Sequence, residues 1–145
     1  MSTACATARS LEVALAKTIG AVDELGRPVV RIEVPDFDGF LAVVDTGFNR
    51  SLLLPAAQAK AMGFTITEDS EVVELGTSAR TKLRRGYGSI SWLDRTVQVE
   101  TYISDEPAAI SRPDAARALI GTELLADCLL LVDFRAKVVE VETQD

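Results

Sequence analysis

The stretch FLAVVDTGFNRSLLLP, residues 40–55, decides how this chain is read. Phe40 to Val44 is a continuous apolar run, as a central strand needs when both its faces are buried. It ends on a charge, in Asp45-Thr46-Gly47. Ser51 to Leu54 form a second short apolar run, and Pro55 follows at a natural first helical position. Ala56 to Met62 are good helix formers, and Gly63 suits the left-handed cap that stops a helix. A strand therefore delivers Asp45 to the edge of a core. Burial disfavours the charged form of a lone carboxylate unless partners compensate, so a carboxylate placed there needs a reason. The structural reason is a strand-ending turn, since Asp and Gly both favour turns. The functional reason is chemistry.

Upstream, Thr18 to Val22 and Pro28 to Val34 are apolar stretches around Asp23-Glu24-Leu25-Gly26-Arg27, which predicts a hairpin turning near Gly26. Val30, Ile32 and Val34 alternate with Arg31 and Glu33, so one face of that strand is buried and the other wet. Pro35 to Gly39 read as a turn cluster. Residues 1–17 form an N-terminal extension, partly loose, in which Leu11 to Leu15 fit a strand or a short helix equally well. Downstream, Glu71 to Leu75 and Arg80 to Trp92 read as strands around the turn Gly76-Thr77-Ser78-Ala79. Thr96 to Ile103 alternates as a further strand, and Ser104 to Asp114 is a loop. The final section runs from Ala118-Leu119-Ile120-Gly121 through a short helix at Thr122 to Ala126. Two last strands follow, Cys128 to Asp133 and Val138 to Glu142. Short strands at this spacing predict an all-β, mostly antiparallel fold, a small closed barrel with one or two short helices, in a single domain over residues 18–145.

Composition narrows the chemistry. The 145 residues are 48% hydrophobic and 26% charged, which suits one globular core and is too apolar for a disordered chain. With 15 basic and 22 acidic residues the net charge is -7, so a phosphate backbone is repelled and nucleic acid is not an expected partner. The chain has no histidine, which removes Ser-His-Asp and Cys-His catalysis. With only Cys5 and Cys128 present, neither a structural zinc site nor a disulfide framework is expected. No metal or cofactor is called for. No export signal is visible in Met1 to Ser10, and the longest apolar run, Cys128 to Val132, is too short to span a bilayer. These features predict a soluble, cytoplasmic protein with free thiols and no membrane partner.

The string Ala42 to Phe48, followed by Leu52-Leu53-Leu54-Pro55 and an Ala-rich helix, resembles the active-site region of retropepsin-like aspartic proteases. It is most similar to the bacterial branch in which Phe follows Asp-Thr-Gly. The family's second signature, two apolar residues and a Gly before a short helix and strand, is matched by Leu119-Ile120-Gly121. Between the two lies a hairpin in the order of the family's flap, with its tip at Gly76, Thr77, Ser78 and Ala79. The resemblance covers roughly residues 18 to 142. It implies an aspartic endopeptidase with Asp45 as the catalytic residue and Thr46 and Gly47 supporting the loop.

A catalytic dyad needs two carboxylates sharing one proton, because like charges in contact cannot both ionise. This chain has one Asp-Thr-Gly, so the second Asp45 is expected from a second copy across a two-fold axis. The expected partners are thus a peptide or protein substrate and a second copy of the chain. Terminal strands such as Val138 to Glu142 are the expected interface, with Thr46 hydrogen-bonding across it. The rival reading is a non-catalytic peptide-binding or regulatory module that keeps the fold without turnover. Arg50 is expected to face solvent rather than Asp45. Arg80, Lys82 and Arg84, with Arg85 beside them, are expected to form a solvated strand face, the alternative being a basic rim for acidic substrates. Trp92 is expected in the core or an interface, and Asp36 and Asp38 in solvent.

Overall fold

The computed structural model describes residues 16–75, 79–105 and 118–144, without the side chains of residues 74, 75 and 79. Among the described residues, ten strands and two short helices follow one another as β1 (Lys17–Val22), β2 (Pro28–Val34), β3 (Phe37–Val44), β4 (Leu52–Pro55), α1 (Ala56–Ala61), β5 (Thr65–Leu75), β6 (Ala79–Trp92), β7 (Arg95–Ser104), β8 (Ala118–Ile120), α2 (Thr122–Leu125), β9 (Cys128–Asp133) and β10 (Val138–Thr143). The chain is all-β. Among the described residues, no helix is long and apolar enough to cross a membrane.

All ten strands join one sheet in the order β5-β6-β7-β4-β8-β3-β2-β1-β10-β9. A single bridge, Glu33 to Ser91, also pairs β2 with β6, so the path through β2, β3, β8, β4, β7 and β6 returns on itself. Most pairings are antiparallel, but β3–β8 and β4–β7 are parallel. Both parallel pairs flank the segment that carries Asp45. β8 lies between β3 and β4, parallel to one and antiparallel to the other, so residues 45–51 must bridge across its end.

Local chemistry accounts for most element boundaries. In the β1–β2 turn the Asp23 carboxylate accepts the N–H groups of Leu25 and Arg27, each at 2.9 Å, while Gly26 takes φ +79°. That conformation costs glycine nothing and most residues about 1 kcal/mol or more. The turn expected over residues 35–39 is only two residues long. Asp36 adopts φ +67°, which Asp tolerates, and Val34 already pairs with Phe37, leaving Phe37 to Gly39 inside β3. Pro55 precedes α1 as its N-cap rather than occupying the first helical position, because it still belongs to β4 and lies opposite Ser104. The helix ends at Ala61 with Met62 as its C-cap, and Gly63 follows in the left-handed region at φ +73°. β5 begins at Thr65, ahead of the Glu71 expected from the sequence. The β-branched Thr65, Ile66 and Thr67 favour a strand, and the irregularity between Ile66 and Ser70 absorbs the polar Glu68-Asp69-Ser70.

The core lies inside the pairing circuit. Val30, Ile32, Leu52, Leu54, Ile90, Ile103, Ile120, Val139 and Val141 are fully buried in one cluster, each contributing about 2 kcal/mol of transfer free energy. Trp92 belongs to it, its indole N–H donating to the Leu124 carbonyl at 3.1 Å. β3 is not buried on both faces throughout, since Leu41 is 44% exposed. A second cluster holds Phe48, Leu53, Leu83 and Tyr102, with Val73 and Leu119 against it. β10 is paired on both sides, by β1 and β9, so it offers no free edge of the kind an intermolecular sheet needs. Among the described residues, the free edge at this end of the sheet is β9.

Candidate active site

Asp45 sits one residue beyond β3 and continues its ladder, its N–H donating to the Ile120 carbonyl at 2.9 Å. Its side chain turns back on its own loop, with Oδ1 accepting the Gly47 N–H at 2.9 Å. The Asp45 carbonyl accepts the Phe48 N–H at 3.1 Å, closing a tight turn. The residue is half-buried, while Thr46 and Gly47 are exposed. Phe48 then dives inward and is buried. An apolar residue directly after the glycine therefore anchors the exposed turn to the protein.

Gly121 is the floor of this turn. Its N–H donates to the Ser51 carbonyl at 2.9 Å, and the next two N–H groups, of Thr122 and Glu123, donate to the carbonyls of Phe48 at 2.8 Å and Arg50 at 3.2 Å. Three successive amides thus satisfy three carbonyls of the loop. A Cβ on Gly121 would lie 2.1 Å from the Arg50 carbonyl oxygen and 2.5 Å from that of Phe48, so only glycine fits. Leu119 and Ile120 complete the motif from below. Ile120 is buried in the main core, and Leu119 packs against the second cluster. The sequence-predicted Asp45-Thr46-Gly47 and Leu119-Ile120-Gly121 are therefore brought into direct backbone contact. The far side of the loop is pinned by hydroxyls. Ser51 donates to the Glu100 carbonyl, and the buried Thr101 hydroxyl donates to the Leu52 carbonyl at 2.9 Å, fixing β4 to β7.

Arg50 lies over the Tyr102 ring, 5.5 Å from its centroid, and its Nη2 is 4.0 Å from Glu71 Oε2. The expectation of a simply solvated Arg50 is met halfway, since it is 53% exposed but partnered. The basic run on β6 divides. Arg80 and Lys82 are exposed, whereas Arg84 pairs with Asp105, Nε to Oδ2 at 2.8 Å, and Arg85 pairs with Glu71. Asp36 and Asp38 are exposed, as expected. Of the hairpin tip, Gly76, Thr77 and Ser78 lie outside the described residues, and Ala79 is placed only by its pairing with Leu75. The middle of that hairpin, through Leu83 and Val73, packs on Phe48 and Tyr102 next to the Asp45 loop. Among the described residues, no group of three carboxylates or thiols lies close enough to hold a metal ion.

No family model matches the chain. No curated protein matches it either. Among solved structures, the EIAV protease complexed with the inhibitor HBY-793 is similar over 70% of this chain and 86% of that one, with a TM-score of 0.48 and 16% identity.

Sequence reasoning missed Tyr102, Glu71 and Ser51 as neighbours of the loop. The only signal for Tyr102 was an aromatic residue within the alternating run Thr96 to Ile103. Nothing local marks Glu71 among the chain's many acids.

Proposed function

We propose that the protein is an aspartic endopeptidase of the retropepsin-like type, with one domain over the described residues, and that it acts as a homodimer. The observation that carries the proposal is the placement of Asp45. A core strand presents a half-buried carboxylate on an exposed turn, the turn is held rigid by Gly121 and its neighbours, and the nearby Arg50 is engaged by Tyr102 and Glu71. Among the described residues no cation pairs with this carboxylate, and a carboxylate so placed can share a proton with a second one. With one Asp45 per chain, the second comes from a two-fold partner. One Asp45, ionised, takes a proton from the water that attacks the peptide carbonyl. The protonated partner polarises that carbonyl and then donates to the leaving amine. Thr46, exposed beside Asp45, bonds across the dimer and locks the two loops.

The same reading places the protein in the cytoplasm; among the described residues Cys128 is a free, half-buried thiol. The substrate is an extended peptide, added as a strand between the loop and the β5–β6 hairpin. The test is cleavage of a peptide library at acidic to neutral pH by the native protein and by Asp45→Asn. The expected result is cleavage that scales with dimer concentration and falls at least about a hundredfold in the variant. Undiminished cleavage in Asp45→Asn refutes the proposal, and no cleavage by the native dimer at any pH favours the non-catalytic binding module.

A further inference from the structure

Glu71 stands where the hairpin meets the candidate active-site loop. It lies in β5, and its Oε1 accepts the Tyr102 hydroxyl from β7 at 2.7 Å. The same oxygen accepts two N–H groups of Arg85 from β6, Nη2 at 2.8 Å and Nε at 3.2 Å. Oε2 faces Arg50 of the Asp45 loop at 4.0 Å. Arg50 and Phe48 both use the Tyr102 ring, the first over its face and the second tilted against it with centroids 6.3 Å apart. One carboxylate therefore joins β5, β6, β7 and the loop.

Half-exposed ion pairs taken singly are worth little. This cluster differs in two respects. Tyr102 is buried, so its hydroxyl needs an acceptor, and Glu71 supplies one. Beneath the polar groups, Phe48, Leu53, Leu83 and Tyr102 form an apolar patch separate from the main core. Loop and hairpin thus share a small core of their own, and Glu71 covers it. The Tyr102 hydroxyl and the Arg85 guanidinium hold the Glu71 carboxyl below the usual carboxylate range, so it stays charged at neutral pH.

We propose that Glu71 is a positioning residue that ties the middle of the β5–β6 hairpin to the Asp45 loop through Tyr102, Arg85 and Arg50. The tie holds loop and hairpin in register with each other. Its consequence for substrate, a preset gap into which an extended peptide fits, rests on the peptidase proposal. Glutamine at position 71 keeps an acceptor for Tyr102 but loses the charge that draws both arginines. Tyr102→Phe keeps the ring under Arg50 and loses only the hydroxyl.

The test is hydrogen exchange on the full chain, followed by peptide kinetics. In Glu71→Gln, amides of residues 45–51 and 81–85 are expected to exchange about tenfold faster, with residues 17–22 and 138–143 unchanged. Tyr102→Phe is expected to accelerate the same two segments by a smaller factor. Unchanged exchange in both variants overturns the tie, and so does equal acceleration everywhere, which marks general destabilisation. In the kinetic arm KM is expected to rise about tenfold in Glu71→Gln while kcat stays within about twofold, because the Tyr102 ring still holds Arg50 away from the Asp45 carboxylate. A fall in kcat at constant KM overturns the positioning role. Should the native protein cleave nothing, exchange alone decides the tie, so its failure and that of the peptidase proposal remain separate.

Discussion

Asparagine at position 45 keeps an oxygen for the Gly47 N–H and changes little in volume, so the turn is expected to persist while the charge is lost. Circular dichroism of Asp45→Asn should match the native protein even where cleavage is gone. Gly121 behaves in the opposite way. Its missing Cβ is what allows the Phe48 and Arg50 carbonyls to descend onto the chain, and backbone on both sides cannot step aside cheaply. Gly121→Ala is therefore expected to cost about 3 kcal/mol, read as a lower urea midpoint, with activity lost alongside. The motif glycine acts as a floor for the loop, a role that its neighbours in sequence do not reveal. The burial of Phe48 is legible only in part. Its apolar character is plain in the sequence, but its packing on Tyr102 joins residues far apart along the chain.

Among the elements, the β1–β2 hairpin has the most self-contained chemistry. Burial works to raise the Asp23 carboxyl, but the Arg27 and Leu25 amides and the Arg27 guanidinium outweigh it and hold the group below its ordinary value. A folded value below the unfolded one means the contribution is present above about pH 4 and is lost as pH falls through the lower, folded value. Asp23→Asn should therefore be less stable than the native protein at neutral pH, and the gap should close on acidification, measured by urea unfolding across pH 2 to 7. A constant gap would place the effect elsewhere than in the charge. The hairpin itself was legible, because its turn is built from Asp23, Gly26 and Arg27 in one short run. The first half of β5 was legible only in part: Thr65, Ile66 and Thr67 carry strand propensity, but the polar Glu68-Asp69-Ser70 joins the strand only through pairing with β6, Ser70 opposite Arg84.

For the whole molecule, the proposed dimer needs a surface, and the strand arrangement changes where to look. β10 is enclosed by β1 and β9, while among the described residues β9 has one free edge and presents Leu129 and Leu131 outward at 50% and 48% exposure. Ile19, in register with Glu140 and Leu131 across three strands, extends the same face. Only α2 and Ala126-Asp127 separate this strand from Gly121. Leu131→Lys is thus expected to weaken self-association at least about tenfold and to reduce cleavage in proportion, as read by sedimentation and activity over a concentration series. With a net charge of -7 per chain, association should strengthen when salt screens the repulsion. A native protein that stays monomeric at high concentration and high salt would defeat the dimer.

What the sequence determined by itself is whatever depends on neighbours along the chain. The period-two runs, the turn residues, the helix after Pro55 and the charge ending an apolar strand are all local, and from them came the all-β class and the singling out of Asp45. What only the tertiary structure decided is whatever depends on neighbours in space. The insertion of β8 between β3 and β4 sets Gly121 under the Asp45 loop, and the parallel partners of β3 and β4 come from distant segments. Glu71 meets Arg50, Arg85 and Tyr102 for the same reason. A strand's side-chain pattern records how deeply it is buried, but hydrogen bonding between backbones is common to all residues, so the pattern does not record which strand lies beside it.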